Sequence, residues 1–359
     1  MDKQIRMGVI GFAHMHIEQM VDSFLARPET FLWVGCADLP PKTASLSRER
    51  GTRVINQENV SRRCDMPVFA DYREVLAQKP DIVIVTCENA LHPPIVCEIL
   101  SEGIHVILEK PMALRYADAQ QMVSTAQAHG VKLVVNWPTT WDPGFRTAHR
   151  LMREGHIGRV VKFHYRNMES LGPFSYGQQM TPEELRAEWW YQANMGGGAM
   201  ADYLGYGCCL SRWFLNQRPE SVFAVKETFF SHFADTEDYS AMTVRYPGAI
   251  ALLEGSWATF SSGQVPAGPV LFGEKGTIVV ERLGGKIFLY TQRHQKEPTI
   301  ILADPLPESR ENLANEMLHC LKTGELHPTL DYAVNLDTVA CVDAAYRSVM
   351  SGRLEPVFL

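Results

Sequence analysis

Ile5-Arg6-Met7-Gly8-Val9-Ile10-Gly11-Phe12-Ala13-His14-Met15-His16 is the stretch that decides the fold. Residues 5–10 form a short apolar run, the pattern of a buried strand. A glycine ends it, and residues 14–26 carry a helical pattern stopped at Pro28. A strand turning sharply into a helix at the start of a chain is how a dinucleotide-binding sheet opens. There, glycines let backbone N–H groups approach a pyrophosphate at the helix N-terminus. Only the first glycine of the G-x-G-x-x-G spacing is kept. Ala13 takes the second place and His16 the third. Taken alone, the turn suits an ordinary strand-to-helix connection equally well.

The pattern continues outward from this turn. Strands are expected at 31–37, 81–86, 105–110 and 131–136, and helices at 41–50, 71–78, 93–102 and 116–129. A short strand is expected at 54–55 and a polar loop over 56–66. Strands alternating with helices imply a doubly wound parallel sheet, so residues 1–136 are read as an α/β Rossmann domain. After Trp137-Pro138 the texture changes. Strand runs at 160–167, 221–230, 240–246, 249–257, 270–272, 277–281, 286–290 and 299–302 are separated by short turns, as in an antiparallel sheet. Helices are expected at 145–153, 199–214, 308–322 and 332–351, the last two packing back toward the first domain. Residues 137–359 are therefore read as an α+β domain with a large, mainly antiparallel open sheet.

The chain has 359 residues and a formal charge of -7, which leaves no basic surplus for nucleic acid. Its 8 cysteines lack any C-x-x-C spacing. They read as reduced, buried thiols in a cytoplasmic protein. The first strand begins too early for a leader, and no apolar run is long enough to span a membrane.

Charges at the carboxyl end of a buried strand mark where open α/β sheets bind ligands. Glu109 and Lys110, followed by Pro111, sit there. Asp38 ends the second strand, placed for an adenosine ribose hydroxyl, and favours NAD over NADP; Lys42 lies close by and weakens that preference. His14 and His16 are two residues apart, so they do not share a helix face, and the sequence offers no third ligand beside them. No metal is expected, and His14 is expected to bond a cofactor phosphate or to cap the helix.

Further residues complete a series: Cys87-Glu88-Asn89-Ala90-Leu91-His92, then Glu109-Lys110-Pro111, then Gly196-Gly197-Gly198-Ala199-Met200-Ala201-Asp202 with Tyr206 and Trp213. In order and spacing this resembles the Gfo/Idh/MocA family of nicotinamide-dependent sugar oxidoreductases, over nearly the whole chain. The chain departs from the family pattern at Glu88, where proline is common, and at Leu204, Tyr206 and Cys209 in the helix motif. Tyrosine at the Tyr206 position is known in other branches of the family.

The resemblance implies NAD or NADP bound by Gly11, Phe12, Ala13, His14, Asp38, Cys87, Glu88, His92, Glu109 and Lys110. Lys110 would stabilise developing alkoxide as hydride leaves, with Tyr206 as acid/base and Asp202 holding a sugar hydroxyl or the lysine. An ammonium beside a phenol favours the phenolate, which a tyrosine needs to act as a base near neutral pH. Glu109 is expected to position Lys110 or touch the nicotinamide ribose. Trp137, Trp141, Trp189 and Trp190 are candidates for stacking on a sugar.

The expected function is hydride transfer between nicotinamide and a secondary hydroxyl or carbonyl of a sugar, cyclitol or glycoside. One alternative is glycoside cleavage by transient oxidation and elimination, with the cofactor recycled. Another is a sugar or nucleotide sensor without catalysis. A homodimer or homotetramer is implied.

Overall fold

The computed structural model describes residues 4–41, 43–168, 172–174, 179–259, 267–281 and 285–358. Lys42 and most of the expected turn at 283–285 lie outside them.

Six strands form a parallel sheet: β1 (Ile5–Ile10), β2 (Phe31–Ala37), β3 (Val68–Phe69), β4 (Ile82–Val85), β5 (His105–Glu109) and β6 (Leu133–Asn136). Their order is β3-β2-β1-β4-β5-β6. The chain winds outward in one direction from β1 and then returns to start again at β4. Ligands bind at such a reversal, beyond the carboxyl ends of the strands. All four residues of β4, Ile-Val-Ile-Val, are buried because helices cover both faces of the sheet. These helices are α1 (Ile17–Leu25), α2 (Arg53–Arg63), α3 (Tyr72–Ala77), α4 (His92–Ser101) and α5 (Tyr116–Ala128). Helix α3 begins at Asp71, which forms a reciprocal capping box with Glu74.

Helix α2 corrects the expected strand and polar loop, and the helix expected at 41–50 is absent: its described residues are turns and bends. Only Arg53, Asn56 and Val60 of α2 are buried, so it carries almost no apolar stripe for a periodicity reading to find.

Helix α6 (Pro143–Arg153) leads into a nine-stranded sheet of β7 (Val160–Met168), β8 (Ser221–Glu227), β9 (Tyr239–Tyr246), β10 (Ala249–Ser256), β11 (Val270–Gly273), β12 (Thr277–Val280), β13 (Lys286–Tyr290), β14 (Thr299–Leu302) and β15 (Glu355–Pro356). The order is β14-β13-β12-β11-β7-β10-β9-β8-β15, antiparallel except where β7 meets β10. A short helix, α7 (Pro182–Ala187), and a π-helical turn at Met200–Leu204 precede α8 (Gly205–Leu215). The last helices are α9 (Leu313–Thr323) and α10 (Tyr332–Ser351). Helix α8 packs on β7 and β10, and α10 packs on β8, α8 and α5. Helix α9 packs against α1, and α10 also meets β6, so both closing helices pack back toward the first domain as expected.

The other face of the large sheet is open. Phe223, Val225, Ile250 and Leu252 are exposed on β8 and β10, which flank β9. No helix among the described residues is long and apolar enough to cross a membrane.

Candidate active site

Strand β5 delivers two charges to the carboxyl edge of the parallel sheet, and they go to different partners. Lys110 is 1% exposed and forms its ion pair with Asp202, not with Glu109. The second oxygen of Asp202 accepts from Trp257 Nε1 at 3.2 Å. The Lys110 ammonium lies 5.0 Å from the centroid of the Tyr206 ring, over its face. Asp202 lies in the π-helical turn and Tyr206 in the first turn of α8, so one break in helix geometry sets both beside the lysine.

Trp137 stands behind this group. It is fully buried, meets Tyr206 edge-on at 5.0 Å and donates to Asn335 Oδ1 at 2.7 Å. It positions the tyrosine and does not line the cavity, which corrects its expected role as a stacking surface.

A cavity of about 560 Å³ opens in front of Lys110. Its walls include His14, His16, Trp141, Trp190, Asp202 and Tyr206. Trp141 and Trp190 thus stand where expected. Trp189 lies instead against the β1–α1 turn and donates from Nε1 to Ala13 O at 2.8 Å.

Glu109, fully buried, lies behind the two histidines of the cavity. Its Oε1 accepts from His16 Nδ1 at 2.8 Å and lies 3.6 Å from His14 Nε2. Its Oε2 accepts from Asn136 Nδ2 at 3.4 Å. This corrects the expectation that Glu109 positions Lys110. It also supplies the third candidate ligand that the sequence did not show near His14 and His16, since the carboxylate arrives from a different strand.

The three side chains cluster closely enough to consider a cation. The bonding of His14 does not suit one. Its Nδ1 accepts from the His16 backbone N–H at 3.1 Å, which leaves the proton on Nε2. A metal-bound imidazole shows the reverse pattern, with its second nitrogen donating outward. Burial, then the charges of His16, Lys110 and His92, hold His14 well below the ordinary histidine range, so it stays neutral. Its bond goes to the N–H of His16, the residue before α1, and no side chain caps that helix, so the capping role considered for His14 is not seen.

The residues expected to hold a cofactor lie along a seam beside this cavity. Gly11 has φ 83°, and a Cβ there would sit 2.5 Å from Cys87 N, so only glycine fits the turn. Asp38 Oδ1 accepts from Phe12 N at 3.0 Å and Leu39 N at 2.9 Å. Arg53, missed by the sequence reading, lies 3.5 Å from Asp38 and 2.6 Å from Glu88. Burial raises the pKa of Asp38, Glu88 and Glu188 despite this guanidinium.

His92 is fully buried, its two ring nitrogens 3.0 Å from Pro111 O and 3.2 Å from Cys87 O. It braces two loops and does not face the cavity, while Cys87 meets Gly11 through its backbone.

Residues 188–190 close over the seam. Among the described residues, five buried side-chain atoms there have no hydrogen-bond partner: His14 Nε2, Glu88 Oε2, Asn89 Oδ1, Glu188 Oε1 and Trp190 Nε1. Leaving a buried polar group unpaired costs about 1–3 kcal/mol. A row of such atoms beside a strand-to-helix turn fits a polar ligand such as a dinucleotide, which would satisfy them when the segment moves aside.

Comparison with known proteins agrees with this architecture. Residues 5–137 match the family model described as "Oxidoreductase family, NAD-binding Rossmann fold", and residues 145–279 match the GFO/IDH/MocA C-terminal domain. The chain is 27% identical over 246 residues to trans-1,2-dihydrobenzene-1,2-diol dehydrogenase of Mus musculus, covering 67% of each protein. It is 26% identical over 258 residues to 2,7-anhydro-N-acetylneuraminate hydratase of Escherichia coli K12, covering 67% of this chain and 65% of the relative. A solved levoglucosan dehydrogenase in complex with NADH and levoglucosan shares the fold, with a TM-score of 0.79 at 17% identity, covering 99% of this chain and 100% of that one. The chain belongs to the Gfo/Idh/MocA family of oxidoreductases, with an NAD-binding Rossmann fold and the family's C-terminal domain.

Proposed function

We propose that this protein moves hydride between a nicotinamide cofactor and a secondary hydroxyl or carbonyl of a sugar, cyclitol or glycoside. The observation that carries the proposal is the buried Lys110–Asp202 pair, set over the Tyr206 ring at the wall of the cavity. When bound, the cofactor supplies the hydride acceptor. Asp202 holds the lysine in place, and Lys110 stabilises charge on the substrate oxygen. Tyr206 takes the hydroxyl proton. Trp141 and Trp190 offer ring faces to a sugar's C–H surface.

Gly11, Phe12, Ala13, Asp38 and Glu88 hold the dinucleotide in this reading, with His14 Nε2–H donating to it. NAD is the preferred form. At the adenosine end, Arg53 is shared by Asp38 and Glu88, with Glu188 nearby. Among the described residues, an added 2′-phosphate would meet these carboxylates and a guanidinium already shared between two of them.

The open apolar face of the large sheet is proposed to pair with a second copy of the chain, as a homodimer or half of a homotetramer. The test is calorimetry with NAD and NADP, followed by a sugar panel read by the absorbance of reduced nicotinamide. Binding of neither cofactor sinks the proposal. Cofactor and sugar binding without turnover would point to a sensor.

A second reading is elimination by way of a transient ketone, with cleavage or hydration and no net reduced cofactor. The cavity has a further acid/base pair that simple dehydrogenation does not use, and the hydratase relative carries the name of a reaction of this kind. Product analysis separates the readings: stoichiometric reduced nicotinamide rejects elimination.

A further inference from the structure

We infer that His16, held by Glu109, is a second proton-transfer residue of the cavity and acts on the C–H beside a substrate carbonyl. The inference rests on the proposal that a sugar ketone forms here, and it assigns that ketone a next step.

The His16 ring lines the cavity and is bonded through Nδ1 to a carboxylate that is fully buried. With the proton on Nδ1, the lone pair is on Nε2. A carboxylate behind an imidazole fixes its tautomer and orientation. The ring is also fixed in orientation. The His16 backbone N–H donates to His14 Nδ1, and the two rings lie 4.2 Å apart. Asn136 bonds the second oxygen of Glu109 and keeps the carboxylate facing the histidine. His14, kept neutral by burial, places no second positive charge beside His16.

The cavity therefore has two acid/base stations. Lys110, Asp202 and Tyr206 line it as one group, and His16, held from behind by Glu109, lines it as the other. Dehydrogenation of an alcohol moves one proton, from the hydroxyl, and Tyr206 accounts for it. A second base is needed only when a C–H is broken as a proton.

The step balances as follows. Oxidation has already sent hydride to nicotinamide and left a ketone. His16 Nε2 takes the proton from the carbon next to that carbonyl. The C–H electron pair forms the double bond of an enolate, whose negative oxygen is held by Lys110. When the ketone re-forms, the pair shifts to the next carbon and the C–O bond there breaks. The departing oxygen takes the bonding pair and receives the proton from His16. The product is an unsaturated ketone. Addition of water across it, followed by return of the hydride, completes hydrolysis of that C–O bond without net oxidation, which is a hydration when the departing oxygen belongs to an internal bridge.

The first half of this step needs no cofactor, so it can be tested on its own. The full chain, without added nicotinamide, is given a methyl glycoside already oxidised at C3, in heavy water. Proton NMR then follows the hydrogen at C2. The wild-type protein is expected to exchange it, and His16→Gln to slow exchange by about 10²-fold or more, the usual contribution of a positioned base. Glu109→Gln is expected to slow exchange less, since the imidazole loses the carboxylate that fixes its orientation but keeps its own lone pair. Melting curves confirm that each variant is folded.

Exchange by His16→Gln at the wild-type rate overturns the inference. So does failure of the folded wild-type protein to exchange a ketone that it binds. Nicotinamide binding, measured in parallel, reports separately on the oxidoreductase proposal.

Discussion

Replacing Lys110 by methionine removes a charge while keeping the length of the side chain. Lys110 is 1% exposed and Asp202 6%, so the change leaves a buried carboxylate with one remaining side-chain donor, Trp257 Nε1 at 3.2 Å. Breaking a buried pair from one side costs about 3–5 kcal/mol. The surviving indole bond, to a charged acceptor, places Lys110→Met near the lower end, about 3 kcal/mol. At roughly 1.3 °C per kcal/mol for a chain of 359 residues, the melting temperature falls by about 4 °C.

Asp202→Asn in the same background removes the stranded charge and should recover about 2 kcal/mol, a coupling expected of residues in contact. Urea unfolding of the four proteins in the cycle measures each part. A Lys110→Met protein within about 1 kcal/mol of wild type at pH 7 would refute the reasoning. So would a deficit that Asp202→Asn leaves unchanged.

Further outcomes follow from the seam and the buried histidines. Asp38→Ala should weaken NAD by roughly 10-fold or more, about the value of one charge-assisted hydrogen bond, and narrow its advantage over NADP; unchanged calorimetric preference contradicts the role given to Asp38. Trp189→Phe removes the donor to Ala13 O and should cost about 1 kcal/mol in a melt, while cofactor added to wild type should change the tryptophan emission as residues 188–190 move. An emission spectrum unchanged at saturating cofactor rules that movement out. Burial lowers His149 from the ordinary 6.5 to about 4 and His327 to about 2. Both remain neutral in the folded state while the unfolded chain takes up protons. Stability is thus fully present above pH 6.5 and is lost as pH falls through the window between 6.5 and those values. A flat profile from pH 7 to 4 in urea melts argues against it.

Most of the fold was legible because its strands are short apolar runs closed by glycine, proline or aspartate. The run Ile82–Val85 reads as a strand buried on both faces, and it is one. Helix α2 escaped notice because its side chains are mostly solvated and its buried arginine serves two carboxylates far away in sequence. The site was legible where a residue's position along its own strand or helix sufficed, as for Lys110, Asp202 and Tyr206. It was not legible where the partner comes from another element. Glu109 reads as the natural companion of Lys110, yet successive side chains at a strand end diverge. Glu109 turns to His16, 93 positions earlier in the chain, and Lys110 to Asp202, 92 positions later. Trp137 reads as a surface for sugar, but its indole is bonded to Asn335 of α10, a pairing that sequence spacing does not reveal.

The central claim is that Lys110 acts on the substrate oxygen and not on the cofactor's binding. Lys110→Ala tests it most directly, with nicotinamide affinity measured by calorimetry and turnover measured on the best sugar of the panel. The account predicts cofactor affinity within a few-fold of wild type and turnover reduced by about 10²–10³, the usual loss on removing a group that stabilises developing oxyanion charge. Turnover like that of the wild-type protein would contradict it.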